Sequence, residues 1–387
     1  ALSFATAVII TRVSGAEVFG QISVGIAVFA YALTLTNFGT DVSGVKAAAA
    51  APGSIGQLLP AIFLMRLFFA FVVVLALSPV LAPEPQGRLV LIIIVSGVFA
   101  AACLPSWLPQ SQENIAATTL ATFGPFAITF GLSVFAALTQ PGSITFALSR
   151  LGGDAVTAAL LSAWAWRYRT DFDWQRIRSH IGTLIGQSGT IVASQLVRGL
   201  AFLTDVLIVS FFFHDATVGH FSAAYRIYLL LVSVSAMFFI IYFPRVVRAA
   251  GLGREPLRRE LNQTFRWSVP GACLAATMVI LVARWILPFA FGTDFSAAVP
   301  VLQILTIGAV LNFVHRNYSR ALIALGYPRL ELVATVIATV VGIAFKVVGT
   351  SQWGIVGAAS AIVAGEIILL LLLRSYIRAN LRVKASA

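Results

Sequence analysis

Apolar runs of about 20 residues recur along this chain almost from end to end, broken by short clusters of glycine, proline and charge. A helix of that length crosses the hydrocarbon core of a bilayer. Backbone polar groups in lipid must be bonded within the segment, and the runs are too long for barrel strands, so helices are expected. Composition agrees. Of 387 residues, 59% are hydrophobic and 10% charged. Soluble domains carry about 25% charged residues. Too little polar surface remains to keep a compact body in water. A cytosolic enzyme, a disordered chain and a disulfide-rich secreted domain are therefore excluded. Cys103 and Cys273 lie far apart in apolar runs and offer neither a disulfide framework nor metal spacing.

The first run ends near Thr11 and is too short to cross; it reads as the second half of a truncated first span. The others cover roughly 18–38, 58–80, 88–108, 114–138, 144–166, 182–213, 217–243, 265–290, 297–323, 329–349 and 353–375. The expected fold class is an all-α polytopic membrane protein with about twelve transmembrane helices. The basic loop 167–181 separates the sixth and seventh spans, which divides the chain into two six-helix lobes, 1–180 and 181–387. A short echo supports duplication: Ala-Glu-Val-Phe-Gly-Gln-Ile-Ser at 16–23 is similar to Ala-Thr-Val-Gly-His-Phe-Ser at 216–222. Parallel repeats of this kind occur in secondary transporters, with the substrate between the halves.

Loop charge sets the expected orientation. One set of loops carries Lys46, Arg167, Arg169, Arg176, Arg178, Arg245, Arg248, Arg254, Arg258 and Arg259, and the tail adds Arg374, Arg378, Arg382 and Lys384. The opposite set carries Arg12, with Arg88 at a margin. Positive-inside bias places both termini in the cytoplasm. It also accounts for much of the net charge of +12 without a nucleic-acid partner. Segment 244–266 sets Leu257 and Leu261 among Arg254, Arg258, Arg259 and Arg266. It reads either as an amphipathic stretch on anionic membrane lipids or as a plain basic loop.

No phosphate loop, H-E-x-x-H or G-x-S-x-G motif is present. No catalytic residue, metal site or bound cofactor is expected. His214 and His220 read as part of a short solvated turn. The informative groups are charges inside spans, which cost roughly 2.5–3.5 kcal/mol each at a helix centre and so face an interior or a wet cavity. The cations are Arg66, Arg198, Arg226, Arg316, Arg320 and Lys346; the anions are Asp205 and Glu366, with Asp41 at a span end. Lys346, Arg284 and Arg320 are expected to snorkel, and Arg150 with Asp154, four apart, to pair locally. Arg198 and Asp205 stand seven apart, two turns along one face. Arg66, Arg226 and Arg316 have no acidic neighbour in the local sequence. Four arginines facing lipid would cost roughly 10–14 kcal/mol, comparable with the stability of a whole domain. They point instead to a hydrated cationic cavity for a phosphate or pyrophosphate, which guanidinium groups bind in a bidentate way. Trp164 and Tyr225 are candidates for stacking on sugars, with packing the alternative. Gly182-Thr-Leu-Ile-Gly186 is a small-xxx-small helix-packing pattern.

Several ordered motifs carry a resemblance. They are TRVSGAEVFGQISVGIAVFAYALTLTNFGTDVSGVK at 11–46, PSWLPQSQEN at 105–114, TDVLIVSFFFHDATVGHFSAAYRI at 204–227, YFPR at 242–245, FGTDFSAAVPVLQIL at 291–305 and WGIVGAASA at 353–361. Together they span nearly the whole chain, which resembles the polysaccharide-transporter flippases. These are relatives of the multidrug and toxic-compound extrusion fold that move undecaprenyl-pyrophosphate-linked O-antigen, capsule or exopolysaccharide repeat units. The resemblance implies a V-shaped pair of lobes and alternating access driven by a proton or sodium gradient, in the bacterial inner membrane. It implies a monomer working beside a polysaccharide polymerase and a chain-length regulator. Arg66, Arg198, Arg226 and Arg316 would hold the pyrophosphate; Asp205, and then Asp41, would couple the ion. Other readings are an organic-cation antiporter of the same fold, a lipid II flippase and a membrane-embedded glycosyltransferase. The excess of cations disfavours the first, twelve rather than fourteen spans the second, and short outer loops the third.

Overall fold

The computed structural model describes residues 2–77, 85–168 and 173–382; the side chains of residues 52, 85–86, 187, 190, 194, 197–198, 200–203 and 380–382 lie outside the description. The described chain is helical, without a strand. Twelve helices follow in order: α1 (Leu2–Asn37), α2 (Thr40–Ala50), α3 (Ile55–Leu77), α4 (Pro85–Cys103), α5 (Trp107–Ser111), α6 (Ile115–Thr139), α7 (Ser143–Ala165), α8 (Trp174–Phe212), α9 (Asp215–Gly251), α10 (Arg254–Phe291), α11 (Val299–Ala324) and α12 (Pro328–Arg382).

These helices do not map one to one onto the expected spans. Nine helical stretches among the described residues are long and apolar enough to cross a membrane. Two are each broken into two rods, at Gly15 (φ 77°) and at Gly354 (φ 63°), a region that only glycine enters without strain. Helix α8, 39 residues long, covers the expected span 182–213. Nine plus two plus one gives the expected twelve. Hydropathy missed the helix ends. The expected loop 41–57 is largely α2, and α9 and α10 run through 244–264 until only Leu252 and Gly253 separate them. Apolarity marks where lipid stops. Alanine, arginine, glutamate and leucine keep a helix going past that point.

The chain forms two compact units, Ala1–Leu207 with His214–Gly219, and Ile208–Phe213 with His220–Ala387. This division lies beyond the 180/181 boundary expected from loop charge, because most of α8 packs with the first unit. Ser43 on α2 is hydrogen-bonded to Ser188 on α8 at 2.8 Å, and Ile191 lies against Gly39.

In the first unit α7 packs along α4 and α6, and α1 along α3, α4 and α6. Its buried end gathers Ala48, Leu58, Ile62, Trp107 and Leu184. Pro125 lies inside α6, and α7 crosses it so closely at Gly153 that a methyl there would lie 2.6 Å from the Pro125 carbonyl oxygen. The two echoing segments also meet in this unit: a methyl on Gly20 would collide with the Asp215 carbonyl, and one on Gly219 with that of Ala16. The contact is reciprocal, as between related halves. The Gly182–Gly186 pattern behaves differently: both positions face open space, so the motif makes no close crossing.

In the second unit α11 packs along α10 and α12. One end is closed by Phe239, Tyr242, Leu257, Leu261, Leu322, Leu373 and Ile377. This corrects the amphipathic reading of 244–266. Leu257 and Leu261 are buried in protein, not laid on lipid. His220 also departs from expectation: it belongs to α9 and packs edge-on against Phe295, ring centroids 5.4 Å apart.

Candidate functional site

Charged groups within the spans gather into three buried clusters, two in the first unit and one in the second. The first is a clamp around Arg66, which is 1% exposed on α3. Its Nε donates to Thr40 Oγ1 at 2.7 Å, one terminal nitrogen to the Leu104 carbonyl at 2.9 Å, and the other to Asp41 Oδ1 at 2.8 Å. Ser106 donates to the same Asp41 oxygen at 2.6 Å, and Asn37 to the other at 3.2 Å. A local signal explains the partner. The positive φ values of Phe38 and Gly39 turn the chain between α1 and α2, placing Asp41 in the first turn of α2, where a carboxylate is favoured by the helix dipole. Arg66 thus has an acid 25 residues away that local sequence did not reveal. Its three nitrogens tie α3 to α2 and to the turn before α5. Beside it an apolar cavity of about 910 Å³ opens between α3, α4 and α7, lined by Leu59, Phe63, Arg66, Phe99, Ala158 and Trp166 among others.

The second cluster is the expected Arg150–Asp154 pair, 3.3 Å apart on α7. Arg150 also lies over the rings of Phe29 and Phe126, 5.0 and 5.6 Å from their centroids. Cation–π contact of this kind steadies a guanidinium away from water.

The third cluster is the one sequence reasoning did not assemble. Glu366, on the rod of α12 after the Gly354 break, accepts from Tyr228 of α9 and Asn312 of α11, both at 3.1 Å on Oε1. Its Oε2 lies 2.6 Å from His315 Nε2. Arg316 Nε donates to Asn312 Oδ1 at 2.8 Å. Tyr228, Asn312 and His315 are 1%, 2% and 7% exposed. The sequence signal was present: Asn312, His315 and Arg316 fall at i, i+3 and i+4, one face of a helix. Glu366, however, lies 50 residues beyond.

The remaining candidates are scattered among the elements. Asp205, on α8, is 4% exposed. Arg226 is half-buried on α9. The side chain of Arg198 lies outside the described residues. Lys346 was expected to snorkel but is 7% exposed, so it is enclosed by protein. Arg284 is exposed and stacks on Trp285 at 3.9 Å, and Arg320 lies over Phe243 at 5.3 Å. Trp164 packs on Tyr168 and Arg167, and Tyr225 lies 4% exposed between Phe221 and Tyr228, so both serve packing here. Among the described residues no group of three or more His, Cys, Asp or Glu side chains is placed to hold a metal ion.

The chain is 28% identical over 158 residues to a probable low-salt glycan biosynthesis flippase, Agl15, of Haloferax volcanii, a match covering 41% of this chain and 34% of that protein. The chain thus spans about a third of the length of that relative. The fold matches an inward-facing multidrug resistance MATE family transporter of the MOP superfamily with a TM-score of 0.74 at 15% identity, over 100% of this chain and 96% of that one. It matches the lipid II flippase MurJ, in an inward closed conformation, with a TM-score of 0.71 at 16% identity, over 97% and 85%. The family model for polysaccharide biosynthesis proteins matches residues 1–250, well over half of a chain whose twelve rods share the MATE and MurJ fold; the chain belongs to the polysaccharide biosynthesis protein family.

Proposed function

We propose that this protein is a flippase that carries a polyprenyl-pyrophosphate-linked oligosaccharide across a membrane. The specific reading is an undecaprenyl-linked repeat unit crossing a bacterial inner membrane, with both termini in the cytoplasm. The observation that carries it is Arg316. Among the described residues no carboxylate lies within ion-pair distance of its guanidinium, which leans on the Asn312 amide oxygen inside an apolar lobe. A guanidinium with no direct carboxylate partner, reached by Glu366 only through Asn312, suits a transported anion. Family membership, the flippase relative and the one-sided loop charge support the same reading. Arg226 and Arg198 are the further candidates for the pyrophosphate. Arg66 serves by holding Asp41 and the turn at 104–106 in place. An exporter of organic cations would be served poorly by this arginine.

Coupling to an ion gradient is assigned to the Glu366–His315 pair, with Asp205 as the second candidate. Asp41, bound by Arg66, Ser106 and Asn37, is better suited to structure than to cycling an ion. The pair sets a carboxylate 2.6 Å from an imidazole within a lobe of spanning helices, where an ionisable residue marks a functional site by default.

The test is complementation of a flippase-deficient strain, read as exported glycan and as lipid-linked oligosaccharide left on the inner face. Arg316→Ala is expected to lower export at least tenfold and to raise the inner-face pool, with the protein still inserted; Arg316→Lys should fall between. Wild-type export by both Arg316→Ala and Arg226→Ala would remove the anion-carrying role.

A further inference from the structure

A second concentration of arginine lies outside the spans. Where α10 begins and α12 nears its end, a polar pocket of about 470 Å³ is lined by Arg254, Arg258, Arg374 and Arg378. Each helix contributes two of them four residues apart, so all four share one concavity. Like charges at that spacing repel along a helix, and an anion bound in the concavity would offset that repulsion. The one carboxylate on the wall, Glu255, is already engaged by Arg259 at 3.3 Å.

The pocket is built on a rigid floor. Leu257 and Leu261 of α10 pack with Leu373 and Ile377 of α12, all four between 0% and 5% exposed. The arginines are therefore presented by two helices locked together one turn below. Asn262 and Tyr318 add polar groups to the wall. Arg254 opens α10 directly after Gly253, whose φ of 120° turns the chain, and no side chain caps that helix end. Its first N–H groups add partial positive charge to that of the guanidinium groups.

Depth in the membrane follows from sequence. Arg374 comes straight after the apolar run 367–373 that ends the last span, and Trp267, 75% exposed on α10, is of the type that settles at the head-group layer. The pocket thus lies at the level of lipid phosphates, with apolar helix surface below it.

We propose that Arg254, Arg258, Arg374 and Arg378 form a binding site for a membrane-lipid head group that carries two phosphates. Four guanidinium groups match a doubly or triply charged head better than a single phosphodiester, and forked donors suit phosphate oxygens. Two membrane lipids share this chemistry: a polyprenyl pyrophosphate and cardiolipin. The first would make the pocket a loading site for the substrate proposed above, so that arm rests on the flippase reading; the second would make it a site for a resident lipid. The site is separate from Arg316, and failure here leaves the transport reading untouched.

The experiment uses the whole protein in nanodiscs of phosphatidylcholine, titrated with polyprenyl pyrophosphate, polyprenyl monophosphate or cardiolipin. Bound lipid is read by native mass spectrometry and by the rise in unfolding temperature. One diphosphate lipid is expected to bind at least tenfold more tightly than the monophosphate. The double variant R258Q/R378Q should lose at least tenfold of that affinity, and R258K/R378K, which keeps the charge, less. Arg284→Gln, an exposed arginine elsewhere on α10, should change nothing. Preference for polyprenyl pyrophosphate assigns the site to loading, and preference for cardiolipin to a resident lipid. Equal binding of all three lipids, or equal loss in R284Q and R258Q/R378Q, overturns the proposal. Because these side chains reach solvent above an intact apolar floor, the variants should fold; the lysine pair provides the comparison if the glutamine pair does not.

Discussion

The two units solve the same problem, an arginine within an apolar helix, in different ways. In the first unit Arg66 meets Asp41, and Arg150 meets Asp154, so each of these two arginines has a carboxylate beside it. In the second, Glu366 is held by Tyr228, Asn312 and His315, while Arg316 has only the Asn312 amide as its hydrogen-bonded neighbour among the described residues. An arginine and a carboxylate held in direct contact form a fastening. Glu366 instead shares its two oxygens among three side chains from two other helices. The first unit thus fastens two arginines with carboxylates, and the second spreads one carboxylate over a network.

The sharpest way to break that contrast is to strip the clamp. Asp41→Ala leaves Arg66 buried with no carboxylate and is expected to cost about 3 kcal/mol, seen as a lower unfolding temperature in detergent at every pH between 5 and 8. Asp41→Ala combined with Arg66→Met should recover part of the loss, because no charge is then stranded. A variant as stable as wild type would mean the clamp carries no weight.

A smaller effect is expected at a helix crossing of the second unit. A methyl on Gly357 would collide with the Gly349 carbonyl where α12 folds back on itself, so Gly357→Ala should cost about 1–3 kcal/mol by the same unfolding measurement.

Third comes the Glu366 network. Glu366→Gln keeps the shape and the acceptor that Tyr228 and Asn312 use. Stability should stay near wild type while transport in proteoliposomes falls about tenfold, roughly 1.4 kcal/mol in a rate, and its pH profile flattens. A pH profile that is unchanged would move coupling away from this pair and towards Asp205.

The smallest effect should come from Gly182→Ala. Its surroundings are open, so the substitution should stabilise the helix by about 0.5–1 kcal/mol. A destabilised variant would show that this glycine meets a partner in another state of the protein.

Much of the architecture was legible in the chain. Each span announces itself locally, because about 20 apolar residues in a row have few other fates. Arg150 and Asp154 were legible for the same reason: four residues on one helix are neighbours in any fold. The candidate sites were less so. Arg66 and Asp41 are 25 residues apart, Glu366 and His315 are 51 apart, and neither spacing carries a periodic signal. The glycines mark the same boundary. Gly20 sits at a tight crossing, whereas Gly182 and Gly186 of the small-xxx-small pattern meet open space. A packing motif states what a helix permits, and only the neighbouring helix decides whether it is used.

Sequence by itself settled the solvent of this chain and its helices, because each depends on transfer free energies summed along a local stretch. Tertiary structure decided which charges are fastened and which are left to act. The electrostatic energy of a buried group depends on what stands within a few ångströms of it, and those neighbours come from distant turns of the chain.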